Sequence, residues 1–195
     1  EALPSDPEAL GEYGRHLAKQ GGGAELMEVL KRQLAVSEDK TQRAALLLQL
    51  GAHQEALGDL PGALGTFRRL IELDPESLEA LQRLERLCES QQRWPELADV
   101  ISRRLKLLAA ESPEAMELMV RLAQLRGEKL LDKAGAVELY AQVLARAPRH
   151  PDALARLEAV FEHEANAKAG DALIGAYKQT GDTQKLGTLL ETRIS

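Results

Sequence analysis

Apolar residues recur along nearly the whole chain at spacings of three and four. Leu10, Tyr13, Gly14 and Leu17 form one such stripe, and Leu26, Leu30 and Leu34 form the next. Leu47, Leu50 and Gly51 follow, then Leu81, Leu84 and Cys88, then Met119, Leu122 and Leu125. These spacings put each set on one face of a helix. Short breakers divide the stripes into pairs: QGGG at 20–23, GDLPG at 58–62, QQRWP at 91–95 and LLDKAG at 130–135. Start signals stand between pairs. SDP at 5–7, DPES at 74–77, SPEA at 112–115 and HPDA at 150–153 each put Pro in a first turn, behind Ser, Asp or His as cap. The pattern predicts four helical hairpins and a fifth unit of three helices. Gly170 and Gly175 weaken the middle helix of that unit, by about 1 kcal/mol each relative to Ala.

The hairpins repeat. DLPGALGTFRRLIEL, starting at Asp59, aligns with RWPELADVISRRLKL, starting at Arg93, at an offset of 34 residues. Pro61 meets Pro95, Arg69 meets Arg103 and Leu73 meets Leu107. Leu60 meets Trp94, Ala63 meets Leu97, Phe67 meets Ile101 and Ile71 meets Leu105. AGAVELYAQVL repeats the stripe again with Ala136, Tyr140 and Leu144. The single tryptophan, Trp94, therefore takes the place of Leu60, and Pro95 repeats Pro61. This register gives Trp94 a structural role, packing over the helix joint with Leu97 and Ile101. A well-buried ring there predicts a loss of about 3–5 kcal/mol for Trp94→Ala.

The second unit, LLLQLGAHQEALGDLPGALGTFRRLIELDP, resembles the tetratricopeptide repeat (TPR), of a divergent, bacterial type. That family repeats every ~34 residues as two antiparallel helices. The resemblance makes Leu50-Gly51 the close-packing pair of the first helix. It makes Ala63 the small residue at the helix crossing, Phe67 the second-helix aromatic and Pro75 the terminal proline. Leu47 and Gln54 stand where the family has first-helix aromatics. The third unit departs further, with Glu85 at the glycine position and Leu97 at the alanine position. The fourth carries an extra residue before Ala136. The resemblance implies an all-α fold, a right-handed solenoid of antiparallel helix pairs with ten or eleven helices. One array then spans 1–195, with units near 6–38, 39–73, 74–112, 113–149 and 150–195. HEAT or armadillo-like arrays are disfavoured by the short offset.

Stacked hairpins bury a shared core and leave a concave surface lined by first helices. The residues expected there are Glu8, Arg15 and Lys19, then Leu48, Ala52 and Glu55, then Gln82, Arg86 and Glu89, then Val120 and Gln124. Some TPR domains grip a C-terminal carboxylate with Lys, Asn and Arg on first helices. Here those helices offer Glu8, Gly11, Glu12 and Arg15, then Ala45, Leu48, Gln49 and Ala52, so the basic clamp is missing. Leu48 and Ala52 make the second unit's groove partly apolar. That favours an amphipathic helix or an apolar anchor over a charged tail.

Composition narrows the function classes. A net charge of −6 over 195 residues disfavours nucleic acid as partner. No apolar run approaches the ~20 residues that span a bilayer, so direct membrane insertion is not expected. The one cysteine, Cys88, excludes an intrachain disulfide or a multi-Cys metal site, and falls on a buried stripe. It fits a cytoplasmic location and leaves the periplasm open. The chain starts at Glu1 and ends at Ser195 in mid-pattern, and reads as an excised segment. His16, His53, His150 and His163 form no close pair. Glu162, His163 and Glu164 are adjacent, and neighbours on a helix point apart. No phosphate-binding loop or nucleophile elbow occurs. No catalytic residue, metal or cofactor is expected. Met116 and Met119 read as core filling, and Arg68, Arg69, Arg103, Arg104 and Lys106 as a solvated outer face. The expected function is a non-enzymatic scaffold that binds a protein or peptide on the concave face. The rival is a segment of a long array that packs on its own neighbours or self-associates. Its apolar last helix, with Leu186, Leu189, Leu190 and Ile194, would make that contact.

Overall fold

The structure, a computed structural model, describes residues 7–20 and 23–194. Its regular elements are eleven α-helices, and no strand occurs among the described residues. They are α1 (Pro7–Gln20), α2 (Gly23–Val36), α3 (Lys40–Ala56), α4 (Leu60–Leu73), α5 (Leu78–Ser90) and α6 (Trp94–Leu107). Then come α7 (Pro113–Glu128), α8 (Lys133–Arg146), α9 (Pro151–Glu164), α10 (Ala167–Thr180) and α11 (Thr183–Ile194). They fall into two compact units, Glu1–Arg93 and Trp94–Ser195. In the first, α2 packs on α1 and α3, and α4 packs on α3 and α5. In the second, α7 packs on α6 and α8, while α10 packs on α8, α9 and α11.

Most boundaries are set by side-chain caps. Asp39 accepts from the N–H of Gln42, Asp59 from Gly62, Ser112 from Ala115 and Asp132 from Gly135. His150 Nδ1 accepts from Ala153, and Asn166 accepts from Ala169. Each side chain satisfies an N–H that has no partner inside its own helix. Pro113 and Pro151 open helices as expected. Pro75 does not: α5 starts three residues later, at Leu78, and Asp74 accepts instead from the N–H of Glu76, 3.3 Å away. Asp74 thus shapes a turn between helices, and Ser77 holds the cap position. The SDP signal at 5–7 lies largely outside the described residues.

The hairpin turns share a backbone form. Gly58 (φ 79°) and Gln92 (φ 55°) occupy the same left-handed place 34 residues apart. The α7–α8 turn, 129–132, is one residue longer than 57–59 or 91–93, as the extra residue before Ala136 requires. Leu131 takes its left-handed position at φ 57° and is 81% exposed.

The core is built mainly from Leu, Ala and Val, with four buried aromatics among the described residues, Phe67, Tyr140, Phe161 and Tyr177. At Gly51 an added Cβ would stand 2.6 Å from Phe67, which is fully buried. Only a glycine lets α3 come this close to the α4 aromatic. In the last hairpin the roles are reversed. Phe161 lies on the first helix, α9, and a Cβ at Gly170 on α10 would stand 2.8 Å from it. Gly170 is therefore a packing residue, not simply a weak point. Gly175 meets nothing within 4 Å and fits the weakening reading. Ala63, Ala136 and Tyr140 are buried, as are Cys88 and Met119. Trp94 is only half-buried, although Leu97 and Ile101 beside it are enclosed. The Lys129 ammonium lies over its ring, 5.3 Å from the centroid. The loss expected for Trp94→Ala therefore falls below the range for a fully buried ring.

Gln54, where the resemblance leads one to expect an aromatic, forms a polar bridge. Its amide oxygen accepts from the Thr66 hydroxyl at 2.6 Å, and its nitrogen reaches the Asp59 carboxylate at 3.4 Å. Gln54 and Thr66 are both buried, so the hydrogen bond offsets the desolvation of each.

Candidate functional site: two first-helix grooves

Two grooves have the same construction, each with two first helices as walls and a second helix as floor. The N-terminal one lies among α1, α2 and α3 and encloses about 640 Å³. Its apolar surface comes from Leu26, Leu30, Leu46, Ala52 and Ala56, and Gly11 and Gly14 thin the α1 wall. A Cβ at Gly14 would crowd Val29 at 3.2 Å. Arg15, Gln33, Gln49 and His53 supply the polar lining, and no carboxylate is among the described lining residues. The C-terminal groove lies among α7, α8 and α9 and encloses about 270 Å³. Ala136, Val137 and Tyr140 of α8 line its floor, and Ala123, Ala159 and Val160 add apolar surface from the walls. Burial pushes the Tyr140 phenol above its ordinary range.

Ion pairs distinguish the two. In the C-terminal groove, Arg156 on α9 meets Glu128 on α7 at 3.0 Å, and Lys133 on α8 meets Glu164 on α9 at 2.6 Å. The first of these pairs recurs. Arg83 on α5 meets Glu55 on α3 at 2.7 Å, and each pair joins neighbouring first helices at a sequence separation of 28. Arg83 also lies over the Phe67 ring, 5.9 Å from the centroid. A fourth bridge joins α9 to α11, where Lys185 meets Glu158 at 2.8 Å. Glu158 also accepts from the Tyr177 hydroxyl. Burial alone would raise the Glu158 carboxyl, but the hydrogen bonds from Lys185 and Tyr177 outweigh it and hold the carboxyl below its usual value. At the N-terminal groove, Gln49 stands 34 residues before Arg83, in the same place on its helix. It cannot form the ionic clasp.

The first-helix positions expected to face a partner divide between these regions. Arg15 and Ala52 line the N-terminal groove, and Gln124 lines the C-terminal one. Leu48 and Glu55 are half-buried and stand outside both linings, with Glu55 held by Arg83. Gln82, Arg86 and Glu89 are exposed on α5. Val120 is a correction: at 7% exposure it belongs to the packed interior of its unit, not to a surface. The Glu8 and Lys19 side chains lie outside the described residues. Sequence reasoning missed Gln33, Gln49 and His53. The signal was present for two of them, because Gln49, Ala52, His53 and Ala56 follow the i, i+3, i+4, i+7 spacing of one face. Gln33 comes from a second helix, where no first-helix stripe could reveal it.

Among the described residues, no group of three or more His, Cys, Asp or Glu side chains is placed to hold a metal ion. No described helix is long and apolar enough to cross a membrane.

No protein-family model matches the chain, and no curated protein matches its sequence. Solved structures do match. A tetratricopeptide repeat protein from Parabacteroides merdae ATCC 43184 overlaps with a TM-score of 0.51, at 16% identity, over 95% of this chain and 78% of that one. A MamA RS-1 double mutant gives a TM-score of 0.50, at 15% identity, over 94% of this chain and 98% of that one. Putative kinesin light chain TPR-like repeats from Podosopora anserina give 0.46, at 21% identity, over 98% and 94%. At such identities the likeness concerns architecture alone. The chain has an all-α, TPR-like fold of antiparallel helix pairs.

Proposed function

We propose that this chain is a non-enzymatic interaction scaffold whose N-terminal groove seats an apolar anchor of a protein or peptide partner. The observation that carries the reading is the 640 Å³ groove among α1, α2 and α3, with a mainly apolar lining and a few polar side chains in it. A recognition site commonly pairs apolar area for affinity with a few polar groups for orientation. An amphipathic helix meets both needs, because its anchors at i, i+3 and i+4 share a face.

A crosslinking pull-down from the source cell tests the reading. Ala52→Trp fills the groove from its α3 wall, and Arg86→Glu changes an exposed α5 position outside it. The partner recovered with the wild-type chain is expected to be lost with Ala52→Trp and kept with Arg86→Glu. Unchanged recovery with a folded Ala52→Trp chain would move the site elsewhere.

Self-association is a second reading. It is favoured by Leu190 on α11, which is 40% exposed. Light scattering across a concentration series separates the two, since a chain that stays monomeric throughout removes it.

A further inference from the structure

From the charge pattern of the first helices, we infer that the partner of the N-terminal groove is an acidic amphipathic helix, with apolar anchors flanked by Asp or Glu. This inference rests on the groove being the binding site. The charge balance along the first helices supports it. Where α3 meets α5 and where α7 meets α9, a Glu of the earlier helix neutralises an Arg of the later one, in the same register. Those two pairs consume carboxylate and guanidinium together. At the N-terminal groove Gln49 replaces the Arg, so that clasp cannot form.

Arg15 lines the same space from α1, and among the described residues its Nε reaches the carbonyl of Gly11 in its own helix, at a long 3.4 Å. His53 adds an imidazole, and Gln33 and Gln49 add amide donors. The described lining thus carries a fixed positive charge and several donors, with no carboxylate to balance them. The chain as a whole has a net charge of −6, so this lining runs against the average. A carboxylate from the partner would supply the acid that Glu55 and Glu128 supply elsewhere. A guanidinium–carboxylate contact is charge-assisted and directional, and fixes the register of the apolar anchors beside it. A basic or neutral helix would bury the same apolar area and leave the Arg15 guanidinium without an acid.

Random helical peptides displayed on phage and selected against the full chain test this. The selected peptides are expected to share apolar anchors at helical spacing with adjacent Asp or Glu. Binding of a selected synthetic peptide, measured by fluorescence anisotropy, is expected to weaken about tenfold with Arg15→Glu. It is also expected to weaken as salt rises from about 0.1 M to about 1 M, where the screening length falls from about 10 Å to about 3 Å. Arg15 is exposed, so its replacement leaves the fold intact, which circular dichroism checks. A basic or uncharged consensus overturns the inference, as does binding indifferent to Arg15→Glu and to salt. If such peptides are still lost with Ala52→Trp, the groove reading survives and only the acidic partner falls. If Ala52→Trp changes nothing, the groove reading itself fails.

Discussion

The two grooves share one architecture and differ in how their walls are joined. The C-terminal one is spanned by Arg156–Glu128 and Lys133–Glu164 and encloses about 270 Å³. The N-terminal one encloses about 640 Å³ with Gln49 at the Arg place. The clasp needs a Glu and an Arg 28 residues apart on successive first helices, and at Gln49 the sequence offers neither, since Gly21 stands at the Glu place. The helix pairs themselves do not determine this, because both grooves have packed floors. A TPR-like frame can thus carry several similar grooves that differ in volume and in the charge pairs across them.

The strongest way to break the comparison is to loosen the far wall of each groove. Phe67 holds α3, and Phe161 on α9 holds its own helix against α10. Phe67→Ala is expected to cost about 3–5 kcal/mol, the usual loss for a fully buried aromatic. Phe161→Ala removes the equivalent wedge, but that ring retains 6% exposure, so its loss is expected to be the smaller. Denaturant melts compare the two. Peptide binding in the N-terminal groove is expected to follow Phe67→Ala and to ignore Phe161→Ala. Equal effects of both on binding would mean that the groove is not a local property of its own unit.

Substituting the two close-contact glycines is the next largest perturbation. Gly51→Ala places a Cβ 2.6 Å from a ring that is fully enclosed. Overpacking of this kind costs about 1–3 kcal/mol. Gly170→Ala meets Phe161 at 2.8 Å and is expected to lose stability too. Gly175→Ala meets no atom within 4 Å, and is expected to gain about 0.5–1 kcal/mol from the stiffer unfolded chain. Thermal melts of the three variants should therefore show two losses and one gain. A gain at Gly51 would mean that α3 and α4 can separate without cost.

The sequence made the frame easier to read than the site. The 34-residue offset places Leu60 and Trp94 at the first positions of α4 and α6, where the structure has them. The Gly51–Phe67 contact was also legible, because the small and the aromatic residue occur at family positions. The reversed contact was not. Gly170 looks like any helix glycine until Phe161 is known to lie opposite, and periodicity within one helix cannot show what faces it. Trp94 was placed correctly along the chain but not in depth, since register says nothing about how far a ring reaches into the core. The clasp escaped for a similar reason. Glu55 and Arg83 lie 28 residues apart, and only the stacking of α3 and α5 brings them together. Val120 was misplaced because a stripe can be wider than three positions: Leu118, Met119, Val120 and Leu122 are all buried on α7.

Removing a clasp sharpens the comparison at lower energy. Arg156→Gln gives the C-terminal groove the residue type found at Gln49. Both partners of the Arg156–Glu128 pair are about half exposed, so its loss is expected to cost only about 0.2–1 kcal/mol. The informative readout is access. The variant groove is expected to bind an environment-sensitive apolar dye more strongly than wild type, because one of the two ion pairs that span it is gone. Unchanged dye binding would show that the Arg156–Glu128 pair does not limit access to the C-terminal groove.

The smallest effect belongs to the α9–α11 bridge, and pH reveals it. The Glu158 carboxyl sits below its ordinary value of 4.5, because Lys185 and Tyr177 donate to it against the opposing effect of burial. A carboxyl lowered in the folded state contributes stability that is fully present above its unfolded value. That contribution is lost as pH falls through the lowered folded value. Between pH 7 and about 5 it is therefore expected to stay constant, and to decline only on further acidification. Glu158→Gln removes the titrating group and keeps the shape. Its stability relative to wild type is expected to be lowest near neutral pH and to approach wild type in acid. Chemical denaturation across the acid range measures the gap. A gap that stays constant or widens in acid would show that the charge on Glu158 is not what joins α9 to α11.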